Sequence, residues 1–513
     1  MQAGSFIREL TYKGGDLPAV NTASAAPKCD PEIMAILKDL KSKGALNDEV
    51  NLDTLELKLT ASQKQAFIAM LTEQNVFVTG SAGTGKSYIL KLYLKLMRDC
   101  VVTAPTGIAA TNIGGTTIHR FFKLPLGIIS PDIDDSEEGS VYNKNTVRTM
   151  VYFLSKVSTL IIDEVGFCRS DIFTYVAFLV ICCRQRGHSL KLILSGDFAQ
   201  LPPVLFGRDK QIFDQLYPGE SSGYAFNSKV WELLDIHTCE LTEPVRQSDP
   251  AFIKALNKLR LGDNSGLDFI NQNHSNTRSA HAITICGRND DAARINDAHL
   301  DKINGSVYRK LVAKTGVVKD TDIVCDEVFR VKIGARVMSI MNTPTCCNGS
   351  CGEVVAIKNK RIIVVKMDRD GTLEEFEPAT WNIYGYVYSE EKKRLKREII
   401  GSYTQYPLKL CWAITVHKSQ GQTFDAINLL NPEGFWLPGQ LYVALSRCRY
   451  ADTIYLERPI FGSALKTSEE VKAFYETIRE AGVYQPNGYK FLFSLANDFF
   501  NKTKGSSLTE AAS

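Results

Sequence analysis

The sequence lacks any apolar run long enough to cross a lipid bilayer. Its longest predominantly apolar stretch, residues 172 to 183, spans 12 residues, whereas a membrane-spanning helix needs about 20. We therefore expect a buried helix there and no membrane partner. The N-terminal residues, M-Q-A-G-S-F-I-R-E-L, contain no apolar signal core, so we expect an intracellular protein rather than a secreted one.

The sequence also lacks regularly spaced cysteines. The 13 cysteines are odd in number and scattered, without the paired spacing of a zinc site, so we predict reduced thiols. The tightest group is Cys346, Cys347 and Cys351, which with the distant Cys325 could hold zinc. Structural zinc ligands are spaced more regularly than these. We therefore favour the alternative, in which they are small residues of a β-rich loop.

No large excess of one charge marks the chain. Sixty Lys and Arg residues against 57 Asp and Glu give a net charge of +3, so a nucleic-acid partner would need a local basic groove. Hydrophobic residues at 44% and charged residues at 23% are near globular averages, which excludes a disordered, collagenous or coiled-coil chain. The 513 residues suggest about three or four domains of roughly 150 residues each.

A glycine-rich segment carries the clearest chemical signal. It reads G-S-A-G-T-G-K-S between an apolar strand and a helical pattern, and it matches the phosphate-binding P-loop G-x-x-x-x-G-K-[ST]. Its glycines let backbone N–H groups turn towards phosphate oxygens at a helix N-terminus. We expect Lys86 to reach the β- and γ-phosphates of ATP and Ser87 to ligate Mg²⁺. The predicted ATP-binding residues of the loop are Gly80, Ser81, Ala82, Gly83, Thr84, Gly85, Lys86 and Ser87.

Two polar groups follow later apolar strands. Asp163 and Glu164 close the strand T-L-I-I, where Asp163 can hold the magnesium ion and Glu164 can polarise the attacking water. Gln200, in G-D-F-A-Q-L-P-P, follows another strand at a carboxyl end where α/β sites form. The alternatives are a helix cap for the acidic pair and a loop amide for Gln200.

Further motifs follow in a fixed order. They are A-P-T-G-I-A-A at 104 to 110 with G-G-T-T-I-H at 114 to 119, D-E, G-D-F-A-Q-L-P-P-V, R-Q at 246 to 247, W-A-I-T-V-H-K-S-Q-G-Q-T at 412 to 423 and Y-V-A-L-S-R at 442 to 447. With the P-loop, they resemble superfamily 1B DNA helicases of the PIF (petite integration frequency) type, relatives of RecD. The resemblance covers about residues 57 to 460. It implies two RecA-like motor domains, ATP hydrolysis and 5′-to-3′ translocation on single-stranded DNA.

The resemblance also implies roles for single residues. Gln63, in L-T-A-S-Q, matches the family's adenine-reading glutamine, and Gln200 looks like its γ-phosphate sensor. Arg246 and Arg447 look like arginine fingers, which neutralise charge on the transferring phosphoryl group. The other residues implied to line this cleft are Gln420 and Gly421.

A DNA path is implied in the same way. Hydroxyl, imidazole and ammonium groups suit phosphate contacts. The matching positions are Thr106, His119, Thr415, His417 and Lys418. Phe121 and Phe122 could stack on bases, with core packing as the alternative. The alternative for His417 is a structural histidine with satisfied hydrogen bonds.

The expected architecture is α/β, with two RecA-like P-loop motor domains. The expected parts are an N-terminal extension with one short helix at 1–56, a first motor domain at 57–240 with a wedge insertion at about 123–150, a second motor domain at 241–320 and 407–500, an SH3-like β insertion at 321–406 and a disordered tail at 501–513. The short helix is indicated by Asp30 before Pro31 and by Gly44. The basic run 390–398 is either a solvated hairpin or a DNA contact.

We therefore expect an ATP-dependent 5′-to-3′ DNA helicase that acts in replication, repair or recombination. Its expected partners are single-stranded DNA and forked or tailed duplex DNA, together with replication or repair proteins, and a monomer suffices. One alternative is an ATPase stimulated by single-stranded DNA that remodels protein–DNA complexes without unwinding duplex. Another is an RNA helicase. The expected location is the nucleus or a site of viral DNA replication.

Overall fold

The structure is a computed structural model. It describes residues 29–125, 127–130, 142–220, 222–279, 282–341, 346, 349–389, 394–430 and 434–481. The predicted disordered tail, the acidic stretch 132–138 and the side chains of the basic run 392–397 lie outside these residues. Among the helices of the described residues, none is long and apolar enough to cross a membrane.

The N-terminal extension carries the predicted short helix, α1 (Pro31–Ser42). The Asp30 side chain accepts a hydrogen bond from the backbone N–H of Glu32 at 3.0 Å, which satisfies a free donor at the helix start. Gly44, beyond the helix, has a φ of 68°. Ile33 and Leu37 of α1 are buried in one core with Phe67, so the extension packs against the first domain.

The first domain is built on a six-stranded sheet. In chain order its elements are α2 (Ala61–Thr72), β1 (Asn75–Gly80), α3 (Lys86–Leu96), β2 (Cys100–Ala104), α4 (Gly107–Ile113), β3 (Thr116–Thr117), α5 (Ile118–Phe121), α6 (Lys144–Leu154), β4 (Thr159–Ile162), α7 (Ser170–Gln185), β5 (Lys191–Ser195), α8 (Gly207–Leu216), α9 (Lys229–Leu233) and β6 (His237–Leu241). The strand order is β3-β2-β4-β5-β1-β6, and all pairs are parallel. The carboxyl ends of the strands therefore meet along one edge.

The apolar stretch 172 to 183 is a buried helix, as predicted. It lies within α7, and every residue of the stretch except Thr174 is buried. Helix α6 packs beside it, with Val147 and Leu154 in the same core. A helix that is apolar all round is stable in water only when it is covered on every side.

The region of the predicted wedge is partly outside the described residues, which omit 126 and 131–141. Its described part belongs to the first domain. Leu124 and Ile129 are buried in the core that also contains α6, and α6 continues beyond 150 to Leu154. Leu124 is only 5% exposed, so its side chain packs in this core rather than facing solvent.

The second domain begins with two helices, a strand and a third helix. They are α10 (Pro250–Arg260), α11 (Ser265–Asn273), β7 (Ile283–Cys286) and α12 (Asn289–Lys302). The chain then enters an inserted β unit before it returns to the same sheet.

The inserted β unit consists of antiparallel strands. They are β8 (Tyr308–Leu311), β9 (Ala313–Gly316), β10 (Val328–Val331), β11 (Arg336–Ser339), β12 (Cys351–Lys358), β13 (Ile362–Met367), β14 (Leu373–Phe376), β15 (Ala379–Ser389), β16 (Arg394–Gln405) and β17 (Leu408–Leu410). The unit starts before the expected boundary at 321, because β8 pairs with β10 and β9 pairs with β16. It also extends past 406, because β17 pairs with β11.

The cysteines that could have held zinc do not gather. Cys346 lies in a core cluster with Phe329, whereas Cys325 lies in another with Trp381, and Cys347 is outside the described residues. Over the described ranges, no group of His, Cys, Asp and Glu could hold a metal ion in the manner of a zinc site. Within the described ranges, no disulfide bond joins these cysteines, and their reduced state stays a prediction.

The second domain is completed by β18 (Ala413–Thr415), α13 (Val416–Ser419), β19 (Ile427–Leu429), α14 (Gln440–Leu445), β20 (Ile454–Leu456) and α15 (Glu469–Ala481). Its sheet has the order β18-β7-β19-β20, and all pairs are parallel. Two parallel sheets, each flanked by helices, confirm the predicted α/β class.

The last helix differs from the expected division of the chain. We expected residues 407–500 in the second domain, but Val471 and Tyr475 of α15 are buried in the core of the first domain. The ring of Phe474 stacks on Phe226 with a centroid separation of 4.4 Å. The three apolar residues recur at the spacing of one helix face, and the first domain supplies the apolar surface that this face covers.

Candidate active site

The P-loop lies between β1 and α3, as the sequence predicts. Gly83 and Gly85 have φ values of 86° and 90°, which residues with side chains rarely adopt. A Cβ at Gly83 would also lie 2.6 Å from the Cβ of Arg246. Because Val245 donates its backbone N–H to the Gly83 carbonyl at 2.8 Å, the segment carrying Arg246 lies directly on the loop.

Lys86 is the first residue of α3. Its Nζ donates to the carbonyl oxygens of Gly80 at 2.8 Å and Ser81 at 3.2 Å. Burial lowers the pKa of Lys86, while the charges of Asp197 and Glu164 oppose that shift. An ammonium group that is poorly solvated gains stability from an anion, so phosphate oxygens would compete well with these carbonyls. The neighbouring Ser87 is exposed.

The acidic pair follows β4 immediately. Glu164 has a left-handed backbone conformation with a φ of 53°, and Asp163 is buried. Burial, followed by the charge of Asp163, raises the pKa of Glu164 to about 7. Burial also raises the pKa of Asp163. Two adjacent carboxyl groups in a poorly solvated site would be stabilised by a cation.

A glutamine of the second domain reaches this pair. Gln420, which follows α13, donates from its Nε2 to Gln200 Oε1 at 2.9 Å and to Glu164 Oε2 at 3.4 Å. The sequence-predicted residues Gln200, Glu164 and Gln420 therefore meet in one place. Gly421 comes directly after, with a φ of 77°. The cleft between the two domains is thus bridged beside the P-loop.

The two predicted finger residues also meet. Arg246 Nη1 and the buried Gln247 Nε2 both donate to the Ser446 carbonyl, at 3.2 Å and 3.1 Å. Arg447 is 1% exposed, and its Nε donates to the Val443 carbonyl at 2.8 Å. Burial, followed by the charge of Arg246, lowers the pKa of Arg447 to about 9. Two neighbouring guanidinium groups at this cleft favour an anionic ligand.

Gln63 lies behind the P-loop rather than in open space. It is buried, its Nε2 donates to the Thr84 carbonyl at 2.9 Å, and its Oε1 accepts from the backbone N–H of Thr60 at 3.1 Å. An adenine contact would have to replace or share these bonds, and adenine reading by Gln63 stays a prediction.

Two further contacts are made by residues far apart in sequence, one at the start of α2 and one at the P-loop. Glu243 accepts hydrogen bonds from Thr60 Oγ1 at 2.8 Å and from the backbone N–H of Ser62 at 3.1 Å. Tyr442, on α14, accepts from the backbone N–H of Ala82 at 2.7 Å. Both partners are distant in sequence, so local patterns carry no signal of these contacts. Tyr442 is a second link from the second domain to the P-loop.

The two predicted threonines have similar local positions, each between a parallel strand and the helix that follows it. Thr106 follows β2 and Thr415 ends β18, and each caps the next helix. Their hydroxyl oxygens accept from the backbone N–H groups of Ala109 at 3.2 Å and Lys418 at 3.4 Å. Thr415 is buried, so this hydroxyl is a helix cap. Lys418 is exposed and is open to a phosphate.

The predicted histidines are half-buried. Burial lowers the pKa of His417. Burial and then the charge of Arg169 lower the pKa of His119. Both imidazoles are therefore neutral near pH 7 and offer hydrogen bonds rather than charge. Their DNA contacts stay predictions.

The two adjacent phenylalanines have different environments. Phe122 is fully buried in the core of the first domain, so core packing applies and base stacking is excluded for it. Phe121 is half-buried and packs edge-on against Phe122 at a centroid separation of 4.8 Å. A base contact for Phe121 stays a prediction.

Comparison with known proteins agrees with the motifs and the fold. A family model described as PIF1-like helicase matches residues 58–267. The chain is 31% identical over 450 residues to the ATP-dependent DNA helicase PIF1 of Homo sapiens, across 84% of this chain and 65% of that protein. It thus spans slightly less than two thirds of that relative's length.

Solved structures extend the similarity to the fold. Unliganded Pif1 from Bacteroides sp is 32% identical with a TM-score of 0.73, over 85% of this chain and 100% of that one. Bacteroides Pif1 bound to ssDNA is 33% identical with a TM-score of 0.58, over 83% of this chain and 98% of that one. The described fold is therefore more similar to this relative without DNA than to the same relative with DNA.

Proposed function

Because the chain belongs to the PIF1-like helicase family, we propose that it is an ATP-dependent DNA helicase that translocates 5′ to 3′ on single-stranded DNA. It unwinds duplex DNA in replication, repair or recombination. One observation carries the proposal most directly. The side chain of Gln420, in the second domain, donates hydrogen bonds to Gln200 and Glu164 of the first domain, beside the P-loop. A change in the bound nucleotide would therefore alter a contact between the two domains.

The nucleotide is held by the P-loop of the first domain. Backbone N–H groups of the loop and the ammonium group of Lys86 bind the phosphates, since both are donors at the start of α3. Glu164 orients the attacking water and accepts its proton, and the raised pKa of about 7 suits that role. Gln200 contacts the γ-phosphate and reports its presence to Gln420.

The second domain and the segment after β6 supply positive charge. Arg246 lies against Gly83 of the P-loop and donates to the carbonyl of Ser446, the residue before Arg447. Guanidinium groups placed there stabilise the charge that develops on the transferring phosphoryl group. Closure of the cleft on ATP and its release after hydrolysis then move one domain relative to the other.

The oxygen ligands that the site offers fit a magnesium ion. Mg²⁺ prefers oxygen ligands and keeps several waters, and the site offers the exposed hydroxyl of Ser87 and the buried carboxylate of Asp163. When bound, Mg²⁺ would supply charge neutralisation on the β- and γ-phosphate oxygens. The raised pKa of Asp163 marks a carboxyl group that lacks sufficient stabilisation without a cation.

DNA is proposed to cross both domains. Support comes from Thr106, which is exposed just after the parallel strand β2, and from the exposed Lys418. A related Bacteroides protein is described as bound to ssDNA. All catalytic groups named here lie on one chain, so a monomer suffices for the motor.

The proposal is tested by ATP turnover of the purified chain with Mg²⁺. The assay compares no nucleic acid, a DNA oligonucleotide and an RNA oligonucleotide of the same sequence. We expect strong stimulation by DNA. Stimulation by RNA alone would favour an RNA helicase, and turnover that neither strand changes would contradict a nucleic-acid motor.

A further inference from the structure

A buried ion pair joins the two domains next to the nucleotide site. Asp197 follows β5 of the first domain, and Arg260 ends α10 of the second domain. Arg260 Nη2 lies 3.0 Å from Asp197 Oδ1, and the two side chains are 3% and 0% exposed. Removing two charges from water is costly, so a buried pair is weak evidence of a role in stability alone. Its position beside the nucleotide site indicates a role in the reaction.

Helix α15 adds a third member. Tyr475 of α15 donates its hydroxyl proton to Asp197 Oδ1 at 3.0 Å and accepts from the backbone N–H of Phe198 at 3.1 Å. Its oxygen also lies 2.8 Å from Thr79 Oγ1. A phenol has one proton and a carboxylate can only accept, so Thr79 is the donor in that last bond. The Tyr475 hydroxyl thus donates one hydrogen bond and accepts two, which satisfies its hydrogen-bonding capacity.

The aromatic ring of Tyr475 has its own contact. The Arg260 guanidinium lies over it, 4.4 Å from the centroid. A cation over an aromatic face is stabilised, the more so when both are shielded from water. Arg260 and Tyr475 therefore contact each other, and each also contacts Asp197.

This cluster touches the nucleotide site at two points. Thr79 is the residue before Gly80, the first residue of the P-loop. On the other side, Asp197 Oδ2 accepts from Gln200 Nε2 at 3.3 Å. Since the carboxylate can only accept, the amide end of Gln200 must face it. The oxygen of Gln200 is then left to face Gln420, which donates to it at 2.9 Å.

Electrostatics are consistent with a fixed anion. Burial acts to raise the pKa of Asp197, but the charges of Arg260 and Lys86 outweigh it and hold that pKa below its ordinary value. Asp197 is therefore an ionised acceptor at all pH values at which the protein would be assayed, and it keeps Gln200 in one orientation.

We propose that Arg260 and Tyr475 are positioning residues for ATP hydrolysis: they fix Asp197, and through it Gln200, in the orientation that connects the nucleotide to the second domain. Helix α15 is accordingly part of the motor rather than a terminal appendage. The inference deepens the proposed function and rests on it.

The outer part of the same cluster supplies a control. Arg260 Nη1 also donates to Glu240 Oε1 at 2.8 Å, and Arg479 of α15 donates to both oxygens of Glu240, at 3.0 Å and 2.8 Å. Arg479 is 46% exposed. Arg479 is thus a matched control, because it lies on the same helix as Tyr475 and contacts Glu240, as Arg260 does, but makes no contact with Asp197 that the structure shows.

The test compares steady-state ATP hydrolysis of Tyr475→Phe, Arg260→Lys and Arg479→Ala with the wild type, each with and without a DNA oligonucleotide. Tyr475→Phe keeps the ring but removes the donor to Asp197. We expect the DNA-stimulated kcat to fall at least about tenfold through misplacement of Gln200, with the KM for ATP little changed. Arg260→Lys keeps the charge but loses the planar fork and should behave alike. Arg479→Ala breaks only a half-exposed pair and should stay within about twofold of the wild type.

The outcomes separate the inference from the function. If the wild type is stimulated by DNA and a folded Tyr475→Phe or Arg260→Lys variant keeps wild-type kcat and stimulation, the inference is overturned. A matching loss of kcat and ATP affinity, or an equal loss in Arg479→Ala, would assign the cluster a structural role and also overturn it. If the wild type itself shows no DNA-stimulated turnover, the proposed function has failed instead. Circular dichroism and the melting temperature establish that each variant is folded, and either variant alone decides the question.

Discussion

Arg120 of α5 and Asp322 of the inserted β unit form an ion pair through Arg120 Nη2 and Asp322 Oδ2, with side chains that are 9% and 5% exposed. Arg120 Nη1 also donates to the Val317 carbonyl at 3.2 Å. The backbone N–H of Lys319 donates to the same Asp322 oxygen at 2.7 Å. The pair therefore fixes the inserted unit on the helix that carries His119.

Replacing Asp322 should release this contact. Asp322→Ala leaves a buried guanidinium group unpaired, which costs about 3 kcal/mol in favour of the undocked arrangement. Hydrogen–deuterium exchange should become faster in residues 317–322 and in α5. The matched control is Asp320→Ala, since Asp320 is 85% exposed in its pair with Lys314 and such pairs contribute little. Equal exchange in both variants would mean that the ion pair does not hold the unit.

Lys86→Ala should abolish ATP hydrolysis. The ammonium group reaches the Gly80 and Ser81 carbonyls of the P-loop, where we propose that the phosphates bind. We expect kcat to fall at least about a hundredfold. Turnover is measured with DNA at saturating ATP, and retained turnover would contradict the site. Lys95→Ala, at an exposed position in the last turn of the same helix, serves as the control.

Arg246→Ala and Arg447→Ala should separate catalysis from binding. Their charge matters most when negative charge develops on the transferring phosphoryl group. We expect kcat to fall about a thousandfold, with a much smaller loss of affinity for ADP. Fluorescent-nucleotide binding provides that second value. Equal losses of turnover and binding in Arg447→Ala would make this buried residue structural.

Gln420→Ala should weaken communication between the domains. Gln420 donates to Gln200 and Glu164, so the variant should lose most of its stimulation by DNA. A double-mutant cycle with Gln200→Ala measures the coupling, because residues that act through one contact are not additive. The double variant should be no worse than the worse single variant. Strictly additive losses would show that the contact carries no coupling.

Local features were predictable from sequence because their causes are local. The Asp30 cap, the start of α1 at Pro31 and the glycines of the P-loop each depend on a few neighbouring residues. The covered helix α7 follows from its all-apolar composition. The resemblance to the family also predicted that Glu164, Gln200 and Gln420 lie in one cleft, and the structure places the three side chains in contact.

What the sequence did not predict depends on distant partners. The hydroxyl of Tyr475 forms a hydrogen bond with Thr79, and Arg120 forms an ion pair with Asp322. No local sequence pattern predicts either contact. The start of the inserted unit was placed too late because β8 and β9 are recognisable only by their pairing with β10 and β16. The burial of Phe122 likewise depends on the packing around it, since Phe121 beside it is half-buried.

The central claim is a motor that unwinds duplex DNA with one polarity. The most direct measurement is strand separation by the purified chain with ATP and Mg²⁺, on one duplex with a 5′ single-stranded tail and on another with a 3′ tail. The account predicts that only the 5′-tailed duplex opens. Opening of only the 3′-tailed duplex, or of neither while DNA still stimulates ATP hydrolysis, would contradict it, and the second result would favour an ATPase that remodels protein–DNA complexes.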